Sequence, residues 1–161
     1  EDVVSQVLAF ECRLVEITGG EPLLQADTPV LAGALIRRGK TVLVETNGTR
    51  DISALPPETI RIVDIKCPGS GHPGAFMLSN LAHLRSTDQC KFVISDRNDF
   101  DWACRWVHEH GLTQRCTVVF SPNAPTPAPR KLAAWILGGN AQVRLGLQLH
   151  KVIWGEGVRG V

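Results

Sequence analysis

Three short stretches hold the groups best suited to chemistry: Thr18-Gly19-Gly20-Glu21-Pro22, Glu45-Thr46-Asn47-Gly48-Thr49 and Asp64-Ile65-Lys66. In the first, paired glycines let the backbone approach a ligand closely and adopt angles barred to other residues. Backbone carbonyls there, with the Glu21 carboxylate, would accept hydrogen bonds from an ammonium group. Gly-Gly alone serves equally as a strand-to-helix turn, and no Gly-Lys-Ser/Thr follows to make it a phosphate loop. Asn47-Gly48 is a common turn pair. In the third stretch a two-residue spacing sends a carboxylate and a cation to one face of a strand, about 7 Å apart. A ribose diol would suit Asp64 and a ligand carboxylate Lys66; a structural ion pair at a barrel mouth is the plainer reading of the same spacing.

Each stretch ends a short apolar, β-branched run, and helical segments lie between most of the runs. The pattern predicts strands over 13–18, 41–46, 60–66, 91–95 and 117–121, parallel because helices fill the connections. Helices are expected over 2–10, 28–38, 98–110 and 126–137. Thr28-Pro29 and Thr126-Pro127 each set a capping hydroxyl before a proline at the first helical position. Gly39, Gly111 and Gly138 stand where the helices should stop. The 48–59 connection has room for only a turn or two of helix.

A repeated β-α pattern builds either an open doubly wound sheet or a barrel. The strand faces favour a barrel. Glu16 and Thr18 alternate with Val15 and Ile17, Glu45 lies opposite Val44, and Asp64 and Lys66 lie opposite Val63 and Ile65. An apolar face under the helices sends the polar groups inward, to the strand ends where barrels carry their sites. Burying those charges under helices would cost several kcal/mol. Val143, Leu145, Leu147 and Leu149 recur at every second position, which predicts a last barrel strand over 143–149 that adds Gln148 and His150 to the substrate side of the cavity, with a packing role for either standing as an equal reading.

The chain has 161 residues, 43% hydrophobic and 20% charged, with a formal net charge of +1. This suits one domain with a single core and gives no basis for general affinity to nucleic acid or an anionic membrane. No apolar run reaches the ~20 residues of a membrane span. Cys12, Cys67, Cys90, Cys104 and Cys116 are odd in number and scattered, which points to reduced thiols in the cytoplasm and away from a disulfide framework. None has CxxC spacing. The first residue is Glu1 and helix is expected almost at once, so the natural start is expected upstream.

In combination and order, TGGEP, ETNG and DIK resemble the radical S-adenosylmethionine superfamily. Residues 17–25 (ITGGEPLLQ), 45–49 (ETNGT), 64–71 (DIKCPGSG), 91–94 (KFVI) and 147–155 (LQLHKVIWG) resemble the 7-carboxy-7-deazaguanine synthase family, with LQLHK…RGV the most specific part. The resemblance implies a partial (β/α) barrel of the radical SAM type, its first strand and cluster loop lying outside residues 1–161. It implies lyase chemistry on 6-carboxy-5,6,7,8-tetrahydropterin, in queuosine and deazapurine biosynthesis. The implied cofactors are S-adenosylmethionine, a [4Fe–4S] cluster and Mg²⁺. A flavodoxin or ferredoxin reductant and a homodimer are implied too.

By the same resemblance Gly19, Gly20 and Glu21 would position the methionine end of the cofactor. Glu45, Asp64, Ile65 and Lys66, with Ser121, Pro122 and Asn123, would line the rest of its site. Thr18 would face the pterin, and Val161 would bring its terminal carboxylate to the amino-pyrimidine edge. The family's CxxxCxxC is not found in residues 1–161, so this polypeptide by itself is expected to be inactive. A missing first strand with about four large apolar side chains would forgo about 6–12 kcal/mol. Whole domains are stable by only ~5–15 kcal/mol, so marginal stability and aggregation are expected. Two other readings stand beside this one. One is a glycyl-radical-enzyme activase, which shares TGGEP…TNG…DxK but has no reason to end in LQLHK…RGV. The other is a degenerate, non-enzymatic chain.

Overall fold

Alternating β-branched residues build six strands, and the segments between them coil into helices or short 3₁₀ turns. The structure, a computed structural model, describes residues 2–71, 76–123 and 127–155, the side chains of 2 and 150–152 excepted. Its elements run α1 (Asp2–Leu8), β1 (Leu14–Ile17), α2 (Thr28–Arg37), β2 (Thr41–Thr46), β3 (Ile60–Ile65), β4 (Gln89–Ile94), α3 (Arg97–Glu109), β5 (Thr117–Pro122), α4 (Pro129–Gly138), β6 (Arg144–Leu145) and α5 (Leu149–Trp154). All neighbouring strands are parallel, in the order β1-β2-β3-β4-β5-β6. A doubly wound sheet reverses its strand order at a switch point, whereas a barrel adds each strand beside the last. The sequential order is that of a partial barrel.

Burial follows the expected alternation. Val42, Val44, Val63, Ile65, Cys90, Phe92, Ile94, Val118 and Phe120 are buried on the helix-covered face. Phe92 holds the centre, packing edge-on against Trp102, Trp106 and Phe120. Trp102 and Trp106, one turn apart on α3, therefore belong to the core margin. A second cluster sets Ala32 and Leu35 of α2 on Val42 and Val44. The strands present Glu16, Glu45, Asp64 and Lys91 on the other, concave face.

Several local expectations shift. Asp27, not Thr28, is the residue before α2, and the Thr28 hydroxyl instead donates to the Pro22 carbonyl at 2.6 Å. Helix α4 begins at Pro129; Thr126 lies outside the described residues. The helix runs through Gly138, and Asn140 takes the left-handed turn (φ 48°) expected of that glycine. The predicted last strand shrinks to Arg144–Leu145, because Leu149–Trp154 coils into α5. Gln148 thus sits in a connection and His150 on a helix.

Candidate functional site

The C-terminal ends of β1, β2 and β3 open onto a cleft of about 240 Å³ lined by Thr18, Gly19, Gly20, Glu45, Thr46, Asn47, Asp64 and Lys66. Gly19 (φ 104°) and Gly20 (φ 59°) both adopt the left-handed backbone that side chains resist, and no atom lies within 4 Å of where a Cβ would stand. Their backbone therefore faces open space. Two-residue spacing brings Asp64 and Lys66 to the same rim, as the alternation requires.

Glu21 is spent on holding this rim together. Its Oε1 accepts from the Leu23 N–H at 3.0 Å and the Thr46 hydroxyl at 2.7 Å, and its Oε2 accepts from the Asn47 N–H at 2.7 Å. The turn after β1 is thereby tied to the turn after β2. Asn47 Oδ1 in turn accepts from the Thr49 N–H at 2.9 Å. Sequence reasoning gave the Glu21 carboxylate to a ligand ammonium; the structure commits it to two neighbouring loops, and it is not among the cleft-lining residues.

Asp64 Oδ2 takes the Lys66 ammonium in an ion pair. Its Oδ1 is buried and, among the described residues, has no hydrogen-bond partner. Buried polar atoms are nearly always hydrogen-bonded, so an acceptor left open beside a cleft marks a place for a further donor, such as a bound ligand. Further along the concave face, Lys91 Nζ donates to Glu45 Oε1 at 2.8 Å, and the Thr18 hydroxyl lies 3.4 Å from Glu45 Oε2. Glu16 completes the row. Burial and then the neighbouring Glu45 push its carboxyl above the ordinary 4.5, against the pull of Lys91.

The remaining predicted residues divide. Ile65 is buried in the core, since its side chain must point opposite to Asp64 and Lys66. Ser121 and Pro122 end β5 and are buried, outside the cleft lining; the Ser121 hydroxyl lies where a Cβ on Gly146 would stand. Asn123 is exposed, with its N–H on the Ile94 carbonyl and its amide on Ser95 Oγ. Gln148 is half-buried away from the cleft. The side chain of His150, and all of Val161, lie outside the described residues. Sequence reasoning passed over Lys91 and the binding capacity of Glu16, although Lys91 alternates with Cys90 and Phe92 just as Asp64 does with Val63 and Ile65.

The cysteines stay apart from this site. Cys67, Cys90 and Cys116 are buried, Cys104 is half-buried and Cys12 exposed. Burial, reinforced by Asp99 and Asp64, pushes the Cys67 thiol up to about 12, so it is no thiolate donor near neutral pH. Among the described residues no group of three or more His, Cys, Asp or Glu side chains is placed to hold a metal ion. A larger groove of about 900 Å³ runs along α1 and α2, lined by Val3, Val30, Leu31 and Arg37 among others, and holds none of the predicted site residues.

Known proteins resemble the chain in sequence and in fold. No family model matches the chain. The 7-carboxy-7-deazaguanine synthase of Koribacter versatilis is 43% identical over 162 residues, which cover 92% of this chain and 72% of the relative. Among solved structures, QueE from Escherichia coli superposes with a TM-score of 0.70 at 22% identity, over 91% of this chain and 61% of that one. SuiB from Streptococcus suis, bound to S-adenosylmethionine, shares the fold with a TM-score of 0.58 at 11% identity, over 92% of this chain and 42% of that one. The identity and coverage of the Koribacter relative, on a sheet whose rim carries TGGEP, ETNG and DIK, show that the chain belongs to the 7-carboxy-7-deazaguanine synthase family of radical S-adenosylmethionine enzymes.

Proposed function

We propose that this chain supplies the cofactor-binding and part of the pterin-binding surface of a 7-carboxy-7-deazaguanine synthase, a carbon–nitrogen lyase acting on 6-carboxy-5,6,7,8-tetrahydropterin. The observation that carries the reading is the buried Asp64 Oδ1, without a partner among the described residues, at a cleft floored by open glycine backbone. An acceptor with no donor suits a ribose hydroxyl, and Lys66 beside it suits the methionine carboxylate. The carbonyls near Gly19 and Gly20 suit the ammonium. The residues present therefore fit S-adenosylmethionine, which when bound supplies the adenosyl group of the family's chemistry.

They do not fit the other group. The five cysteines lack CxxxCxxC, three are buried, and the described residues gather no ligand set. No step through a [4Fe–4S] cluster, and none through Mg²⁺, follows from these 161 residues. By themselves they are expected to bind nucleoside without turning it over. Thr18 forms the substrate side of the same rim; Glu45, which the resemblance sets in the cofactor's site, is assigned to that side instead because its Oε2 lies 3.4 Å from the Thr18 hydroxyl. Ser121, Pro122 and Asn123 shape the far end of the sheet without lining this cleft, and Val161 keeps the role the resemblance gives it. A cytoplasmic homodimer reduced by flavodoxin or ferredoxin completes the proposal. No described helix is long and apolar enough to cross a membrane.

Isothermal titration with S-adenosylhomocysteine tests the reading. The parent protein should bind, and Asp64→Asn should weaken binding by about tenfold or more, because its amide offers a donor or a neutral acceptor where an ionic one stood. Equal affinity of parent and variant, or no heat from the parent, would overturn it.

A further inference from the structure

Lys91 makes an unexpected choice of partner. Across the β3–β4 ladder it stands directly opposite Asp64, on the same concave face. Yet its ammonium passes over β3 and donates to Glu45 on β2, at 2.8 Å. Two strand spacings separate those backbones by roughly 9.6 Å, so an extended lysine is needed to close the gap. Asp64 meanwhile pairs with Lys66, the first residue after its own strand. Two cations thus serve two carboxylates in separate pairs, although a shorter cross-strand pairing was open to Lys91.

This partition has a chemical result. By leaving Asp64, Lys91 leaves its Oδ1 without a donor among the described residues. By fixing Glu45 through Oε1, it leaves Oε2 held, among the described residues, only by the Thr18 hydroxyl at 3.4 Å. That distance is long for an O–H···O bond, whose usual length is about 2.7–2.8 Å, so Oε2 is free to take a stronger donor. Glu45 and Thr18 both line the cleft.

We propose that Lys91 is a positioning residue that splits the polar rim into a nucleoside side at Asp64 and Lys66 and a heterocycle side at Thr18 and Glu45. On the second side Glu45 Oε2 accepts a ring N–H of the reduced pterin, and Thr18 serves a neighbouring polar atom. The proposal rests on the reading that the rim holds S-adenosylmethionine and a pterin. Lys91 touches neither ligand; it acts by orienting Glu45 and keeping it from swinging towards Lys66.

The test is anaerobic calorimetry on the protein with two separate probes, S-adenosylhomocysteine and 6-carboxytetrahydropterin. Lys91→Met, which keeps the aliphatic stem, should weaken pterin binding about tenfold or more and change nucleoside binding less than about twofold. Lys91→Arg should restore most of the pterin affinity. The double variant Lys91→Met/Glu45→Gln should bind pterin no worse than Glu45→Gln alone, because the lysine acts through that carboxylate. Equal loss of both ligands, or additive losses in the double variant, would overturn the positioning role and mark Lys91 as merely structural. If the parent binds neither probe, the underlying reading fails and this proposal with it. If it binds both and Lys91→Met is indistinguishable from it, the positioning role alone fails.

Discussion

Glu16 and Glu21 are both carboxylates at one end of β1, and their surroundings give them opposite work. Glu21 accepts three hydrogen bonds from two loops and becomes a tie. Glu16 stands on the concave face near Glu45, and burial with that neighbouring charge raises its carboxyl above the ordinary 4.5. A carboxyl raised in the folded state holds its proton more tightly there than in the unfolded chain. Its favourable contribution is therefore present below 4.5 and is lost as pH climbs through the raised folded value. Glu16→Gln removes that loss. Relative to the parent, the variant's urea midpoint should stay level near about pH 4 and gain as pH rises to about 7. A difference between the two proteins that is flat with pH would show that Glu16 ionises freely. At this scale the sequence was half legible. Alternation placed Glu45, Asp64 and Lys66 correctly, but which acceptors were already taken depends on loops 25 residues apart, such as Glu21 and Thr46, and no local pattern records that.

The strands and main helices were legible because their residues agree at two levels, β-branched composition and burial period. β2 spans the predicted 41–46 for that reason. The failures have physical causes too. In 143–149 every second residue is apolar, but Gly146 sits where a Cβ would strike Val119 and Ser121, and Leu149 starts a helix, so alternation over so short a span did not specify a strand. Nor did any periodic signal point to the opposite edge of the sheet, where Asp88 is buried before β4. It accepts from the backbone N–H groups of Arg61 and Arg85 at 2.9 Å each, and both guanidinium groups lie within salt-bridge reach. Burial pulls the Arg61 guanidinium down from its ordinary value, and Asp88 counters that pull. This carboxylate joins the starts of β3 and β4, and hence the registry that puts Asp64 opposite Lys91. Asp88→Ala leaves a buried cation and two backbone donors unanswered and should cost about 3–5 kcal/mol in urea unfolding. A loss below about 1 kcal/mol would mean that water replaces the carboxylate, at the level of a surface pair.

On the scale of the whole molecule, the same open sheet that presents the site also presents a hazard. Among the described residues β1 pairs only with β2, so its other side offers unpaired backbone N–H and C=O groups. Natural edges are protected by charge, proline, bulges or cover. Here Leu14 is 54% exposed at the start of the strand and Phe10 is 70% exposed just before it. An extended edge with apolar side chains on its flank is a template for another chain. The 161-residue polypeptide should therefore self-associate as its concentration rises from about 10 µM towards about 1 mM, the range in which exposed edges and apolar surface meet their partners. Leu14→Lys places a charge on that edge and should shift sedimentation towards monomer while leaving the far-ultraviolet circular dichroism unchanged. The two readouts separate the causes. If the parent stays monomeric throughout and unfolds in urea with one sharp midpoint, the edge is harmless. If Leu14→Lys associates as strongly as the parent, the contact lies elsewhere, and the apolar groove along α1 and α2 becomes the surface to change next.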